Sequence, residues 1–369
     1  MKTWSKILLV GVLAFSLAAT AMAAGRDPAL VKATYQKVAA NLDAGGDFYW
    51  VGNVDGFVES GAALLTEIIT AATVSEPNAA RIKTATDKLA PFLKRNGFFG
   101  AQALGLSAVP RGDGFHTWKF VILRDQSYAA TPLWRGLFGR TPHKLGCLDY
   151  LPADAAIVCA GDADVTALWK MARDGIRETG SYKLNSQVDQ GLALVETTIG
   201  VSLDSLIASL GNEAAFAVTL ANDAQVTIPI PDGGMPLVIP EPNLLMIVQT
   251  KDDTLYKLIE AQLAKTGMPI GTVAVGDVQV RSMPIPLPLP ISLQFAYAKD
   301  GKYLVIGLST KIVSAAVTAA KQKQGLLASV EFKKAFTGLP MENNGISFMS
   351  PRFARTMRTI QTRVFESPG

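Results

Sequence analysis

The chain has 369 residues, 49% of them hydrophobic and 18% charged, which suits a globular protein with a sizeable core and excludes a disordered or fibrous one. Its formal net charge of +4 is small, and no basic stripe is interleaved with aromatic residues, so nucleic-acid binding has no support. With only two histidines and two cysteines, few groups are available for metal or thiol chemistry.

Lys2 and Lys6 precede a run from Ile7 to Thr20 that is apolar apart from Ser16 and Thr20, and Ala21-Met22-Ala23 has the small-x-small form of a cleavage site. That order is a secretory signal peptide over 1–23, and the run falls short of the roughly 20 residues that span a bilayer. The sequence therefore predicts an exported protein, periplasmic or extracellular, that begins near Ala24 with a net charge of +2 once Lys2 and Lys6 are gone. Ala24 in place of a cysteine argues against a lipid anchor, and no later segment is long and apolar enough to be a transmembrane span.

Residues 24–147 read as a helical N-terminal region plus a β-hairpin. A helix is expected over Asp27 to Leu42, with Leu30, Val31, Tyr35 and Val38 as its apolar stripe. Phe48-Tyr49-Trp50-Val51 reads as a strand, and two helical segments run from Val54 to about Thr73 and from Glu76-Pro77-Asn78 to Arg95. Phe98 to Pro110 and Phe115 to Leu123 flank Arg111-Gly112-Asp113-Gly114 as a hairpin, with His116, Trp118, Phe120 and Ile122 on one apolar side.

From Tyr150 onward one phrase occurs twice, which defines two α+β units, 148–240 and 241–369. Pro152, the strand Ala155 to Ala160 and a helix capped by Asp164 match Pro242, the strand Leu244 to Thr250 and a helix capped by Asp253 and stopped by Gly267. A closing phrase also recurs. Ser202 caps a helix with Leu203, Leu206, Ile207 and Leu210 on one stripe, Gly211 reads as a left-handed stop, and an alternating strand follows with Phe216, Val218 and Leu220 on one side. Ser329 to Met349 repeats it, with Gly338 as the stop. Internal duplication and chance likeness between common strand-helix phrases are both open. An Asp300-Gly301 turn predicts antiparallel pairing, and Ile312, Val313, Ala316, Val317 and Ala320 share a helix face. The expected fold class is α+β, with mainly antiparallel sheets covered by helices.

The phrases IGVSLDSLIASLGNEAAFAV, LPADAAIVCAGDADVTALW and SVEFKKAFTGLP with GISFMSPRF resemble a family of exported bacterial proteins known as a domain of unknown function. The resemblance covers roughly Leu148 to Arg355. It implies an envelope protein without assigned activity and brings no catalytic residues.

No nucleophile elbow, P-loop, dinucleotide fingerprint or H-E-x-x-H helix occurs, and no cofactor is implied. His116 reads as a histidine with a satisfied hydrogen bond. His143, Cys147 and Cys159 lack the paired spacing of a zinc module. Cys147 and Cys159 lie twelve apart around a Leu151-Pro152 turn and are expected to form a disulfide in an oxidising compartment. Two proline-rich arms are the least ordinary stretches: Ile228 to Pro231 with Pro236 to Pro242, and Met283 to Ile291. Alternate prolines forbid helix and leave edge strands or projecting loops. The candidate contact patch is Ile228, Ile230, Leu237, Ile239, Ile285, Leu287 and Leu289; the competing reading is a set of protective edges folded onto the protein's own sheet. The leading function is a non-catalytic binding or interaction protein whose partner is an envelope protein or an apolar ligand. A carrier of lipid or another apolar ligand comes second, and a hydrolase with a non-local carboxylate site third.

Overall fold

The computed structural model describes residues 28–75, 77, 79–111, 116–139, 141–228, 236–286 and 293–365. The expected signal peptide, the hairpin turn at 112–114, Ile230, Leu287 and Leu289 lie outside these. The chain forms two compact units, one of the residues up to Arg135 with Ala167–Asp189, the other of Gly136–Thr166 with Gln190 onward.

In the first unit, α1 (Pro28–Ala39) precedes β1 (Phe48–Asn53), and three helices follow: α2 (Phe57–Thr73), α3 (Ala79–Asp87) and α4 (Leu89–Asn96). Gly97 ends α4 in the left-handed region, where its N–H reaches the Leu93 and Lys94 carbonyls. Trp134 Nε1 then donates to the Gly97 carbonyl at 2.9 Å, which ties the later loop to this corner. The expected hairpin is present as β2 (Ala101–Pro110) and β3 (His116–Arg124), and β1 joins it in an antiparallel sheet of order β1-β2-β3. Val38 and Leu42 pack on Ala103, with Val51, Val121 and Leu123 around them, so one face of this small sheet is core. Because side chains alternate along a strand, the residues between them point the other way.

The second unit holds α+β structure on a larger scale. After α5 (Pro132–Phe138) the chain makes β4 (Ala155–Asp162), then α6 (Val165–Glu178) and α7 (Tyr182–Ile199), of which Ala167–Asp189 belong to the first unit, and then α8 (Leu203–Ser209). Then come β5 (Leu210–Ile228), β6 (Leu237–Thr250), α9 (Thr254–Thr266), β7 (Gly271–Val275), β8 (Val278–Ile285), β9 (Leu293–Asp300) and β10 (Tyr303–Gly307). It closes with α10 (Thr310–Gln322), α11 (Val330–Ala335), β11 (Gly345–Met349) and α12 (Pro351–Phe365). One antiparallel sheet takes the order β11-β4-β5-β6-β10-β9-β8-β7. Strands of both expected α+β units therefore hydrogen-bond into a single sheet, with β4 and β6 on either side of β5.

Alternation sends Val158, Ala160, Ala215, Ala217, Ile247 and Val305 to one face, all buried. On that face α10 contributes Ile312, Val313, Ala316 and Val317, and Phe332 of α11 meets the Phe348 ring edge-on at 5.4 Å. Full burial of a Val or Ile side chain is worth about 1.5–3 kcal/mol, so this face holds the unit together. On the opposite face α9 covers β9 and β8: the Tyr256 ring meets Tyr297 tilted at 56°, and Glu260 bonds both Arg281 and the Tyr297 hydroxyl.

Several expectations shift in detail. Ser202 caps α8 by accepting from the Ser205 N–H, but Gly211 is not a left-handed stop: the backbone is already extended at Leu210, and Gly211 lies in β5 against the Gln249 side chain. The buried side of β5 is Ala215, Ala217 and Thr219, whereas Phe216 is exposed, because the small residues face the packed layer. Gly267 and Gly338 do adopt positive φ, 68° and 81°. The β9–β10 turn has Gly301 at φ 56° as expected of a two-residue hairpin. The helix α7 has no counterpart in the sequence reading; none of its residues is buried, so no core-facing stripe announces it.

Candidate functional site

The densest group of titratable side chains lies in the second unit, where β4 ends, β5 begins and β10 begins. Asp162 and Glu213 are directly opposite each other across β4 and β5, and both are buried. His143 is held beside them by a two-way backbone bridge to Asn343. Its Nε2 lies 3.3 Å from Glu213 Oε1, and its Nδ1 is 3.1 Å from the Thr141 carbonyl and 3.8 Å from Asp162 Oδ2. Glu213 Oε2 also accepts from the Tyr303 hydroxyl at 2.8 Å and from the Cys147 N–H at 2.9 Å. Two glycines make room: a Cβ on Gly139 would collide with Asp162, and one on Gly146 with the Tyr303 hydroxyl.

Both nitrogens of His143 face acceptors, so the imidazolium, with two N–H donors, satisfies both while a neutral ring leaves one unmet. Its pKa is accordingly raised, chiefly by the Thr141 carbonyl, against an opposing effect of burial that ranks second, with Glu213 and Asp162 adding to the rise. Burial, with Glu213 nearby, pushes the Cys147 thiol up to about 12, so it is protonated at neutral pH and unsuited to nucleophilic attack. The Tyr303 phenol is raised as well, first by burial and then by its bond to Glu213. Within this knot Glu213 is saturated by three donors, whereas the buried Asp162 Oδ1 and Asn344 Nδ2 have no hydrogen-bond partner among the described residues. A neighbouring cleft of about 360 Å³ is lined by Tyr150, Tyr303, Asp300, Lys144, Lys302 and Lys321, among others. Its charges are largely matched in pairs, Lys321 with Asp277 at 2.6 Å and Lys323 with Asp149 at 2.7 Å.

Of the residues singled out from the sequence, the two cysteines do not bond: both are free thiols. Cys147 is wholly buried beside Glu213, while Cys159 is exposed on the side of β4 opposite Val158, Ala160 and Asp162. The same alternation separates Cys159 from His143, so the three do not converge on a zinc site, and among the described residues no cluster of His, Cys, Asp and Glu is arranged to hold a metal. Of the contact candidates, Ile228 is exposed, Leu237 is buried, and Ile239 and Ile285 are half-buried. Ile228 pairs with Leu237 at the far end of the β5–β6 hairpin, and Ile285 pairs with Leu293.

A different apolar surface stands open in the first unit. Cross-strand pairing sets Phe48, Ala108 and Trp118 in one row and Trp50, Leu106 and Phe120 in the next. These side chains lie on the sheet face away from α1, with Phe48 45%, Trp50 46%, Trp118 63% and Phe120 62% exposed. His116 extends the same face and lies 3.3 Å from Asp47. The sequence pattern showed Trp118 and Phe120 on one apolar side; it could not show that no helix among the described residues covers that side. His116 is thus a surface residue whose hydrogen-bond partner is Asp47.

A family model described as Protein of unknown function (DUF3352) matches residues 136–363, more than half of the chain. Comparison with curated proteins and with solved structures returns no match.

Proposed function

The chain belongs to the DUF3352 family, which carries no activity to transfer, and from its geometry we propose a non-catalytic binding protein of the cell envelope that holds its partner on the aromatic face of β1–β3. The observation that carries this reading is the double row of Phe48, Trp50, Trp118 and Phe120. Leaving one large aromatic in water forgoes about 1.5–3 kcal/mol of burial, and a contiguous patch of four is what interfaces use as anchors. The face lies outside the matched segment 136–363. Binding by surface agrees better than carriage in a cavity with the described clefts, which hold about 160–370 Å³ and are lined largely by charged and small side chains. The saturated Glu213 and protonated Cys147 give hydrolysis little to work with. Export is supported by the leader at 1–23.

The test is a photo-crosslinking residue in place of Trp118 in cells that make the protein. A discrete adduct in the envelope fraction, lost when Trp50→Ala and Phe120→Ala are added, is expected, with a melting temperature within a few degrees of the parent. Absence of an adduct, or a melting temperature lowered by about 10 °C or more in the double variant, would show that the face is not a binding surface.

A further inference from the structure

The last helix of the second unit differs in chemistry from everything around it. α12 contains Arg352, Arg355, Arg358 and Arg363 and no acidic residue. Helical spacing places Arg352, Arg355 and Arg358 along one stripe and Phe353, Met357 and Ile360 along another. Arg352 is engaged, donating to the Ala221 carbonyl and sharing a cleft with Asp154 and Glu331. Arg355 and Arg358 are exposed; of the apolar stripe Phe353 and Ile360 are half-buried and Met357 is 45% exposed. Arg355 also shares a cleft with Val238, Ile239 and Pro240 of β6, so its guanidinium stands at the proline-containing end of the β5–β6 hairpin, where Ile228 and Val238 are exposed.

The register brings the second proline-containing strand to the same end of the sheet. Gly307 closes β10 opposite Leu245 of β6 and Ala296 of β9, so the start of β6 and the start of β9 lie beyond the same end of β10. Ile285 at the end of β8 pairs with Leu293 there.

We propose that this end of the second unit docks on an anionic lipid surface, with Arg355 and Arg358 on the headgroup phosphates and Met357 and Ile228 at the acyl boundary. Charge sets the choice of partner: a helix whose only charged residues are arginines complements phosphate, and exposed arginines with an exposed Met357 beside them suit a membrane surface. A nucleic acid offers phosphate too, but the exposed apolar residues beside the arginines gain nothing from it. The surface lies within the matched segment and does not depend on the aromatic face.

The full chain is sedimented with vesicles of phosphatidylcholine alone and of phosphatidylcholine mixed with phosphatidylglycerol. Binding to the anionic vesicles alone is expected, weakening with salt, and falling about tenfold or more for Arg355→Glu with Arg358→Glu. Met357→Ser should weaken it a few-fold with the salt dependence unchanged, and Trp118→Ala should leave it as it is, which separates this surface from the aromatic face. Should the double reversal unfold, the pair Arg355→Gln and Arg358→Gln replaces it. Equal binding to both vesicle types, or no loss on changing the two arginines, overturns the proposal. So does duplex DNA that displaces the vesicles and binds the Met357→Ser variant undiminished, which would assign the helix to nucleic acid.

Discussion

His143 is surrounded by acceptors from three directions: the Thr141 carbonyl on its own loop, Asp162 from β4 and Glu213 from β5, with the Tyr303 hydroxyl and Cys147 N–H facing the same carboxylate. Its folded pKa is raised above the usual value of about 6.5, so its contribution to stability is fully present below that value and is lost as pH rises through the folded pKa. The ring is partly exposed, which keeps the effect modest. Urea unfolding across a pH series should show the parent more stable than His143→Gln on the acid side and level with it on the alkaline side. An NMR titration should place His143 above about 6.5 and show it fall in Glu213→Gln; a value below the ordinary range would refute the arrangement. That these groups meet was not legible in the sequence. Asp162 reads in sequence as a carboxylate at a strand-to-helix junction, where capping is the usual job and acid–base work the alternative, and only the pairing of β4 with β5 sets it face to face with Glu213.

Elements are where the sequence spoke most plainly. Ser202 and Ser329 were both read as caps, and both sit at φ −65°, ψ 144° with the side chain accepting from the N–H three residues on. Ser202→Ala and Ser329→Ala should each lower stability by about 1 kcal/mol, and the glycine variants by only a few tenths, measured as shifts in the denaturation midpoint at unchanged slope. No shift in either alanine variant would mean that the caps are ornamental. Caps are legible because the signal is a few adjacent residues wide. Gly211 misled because a glycine after a helix also suits a strand pressed against a neighbouring side chain, here Gln249. The α7 helix escaped notice because Leu184, Leu194 and Val195 stay exposed, and periodicity is readable only where one face is buried.

At the scale of the whole molecule, two apolar positions that look alike in sequence should behave differently. Leu304, wholly buried on the face that α9 covers, should cost about 3 kcal/mol when changed to alanine, through lost burial and the cavity left behind. Trp118→Ala, on the open aromatic face, should change stability by well under 1 kcal/mol. Calorimetry of both variants decides it, and a large loss at Trp118 would place that face in the core.

By itself the sequence determined what depends on near neighbours along the chain: the caps at Ser202 and Ser329, the left-handed Gly267 and Gly338, the alternation of β2 and β3, and the α+β class that these imply. The tertiary structure alone decided which side of each strand is covered, because alternation marks two faces without saying where a helix will lie. That choice left Phe216 and Trp118 exposed, set Cys159 facing away from the buried side of β4 and hence away from a bond to Cys147, and merged the strands of two expected units into one sheet. It also gathered His143, Asp162, Glu213 and Tyr303 from segments far apart in the chain, since hydrogen bonds between strands join residues that no local pattern connects.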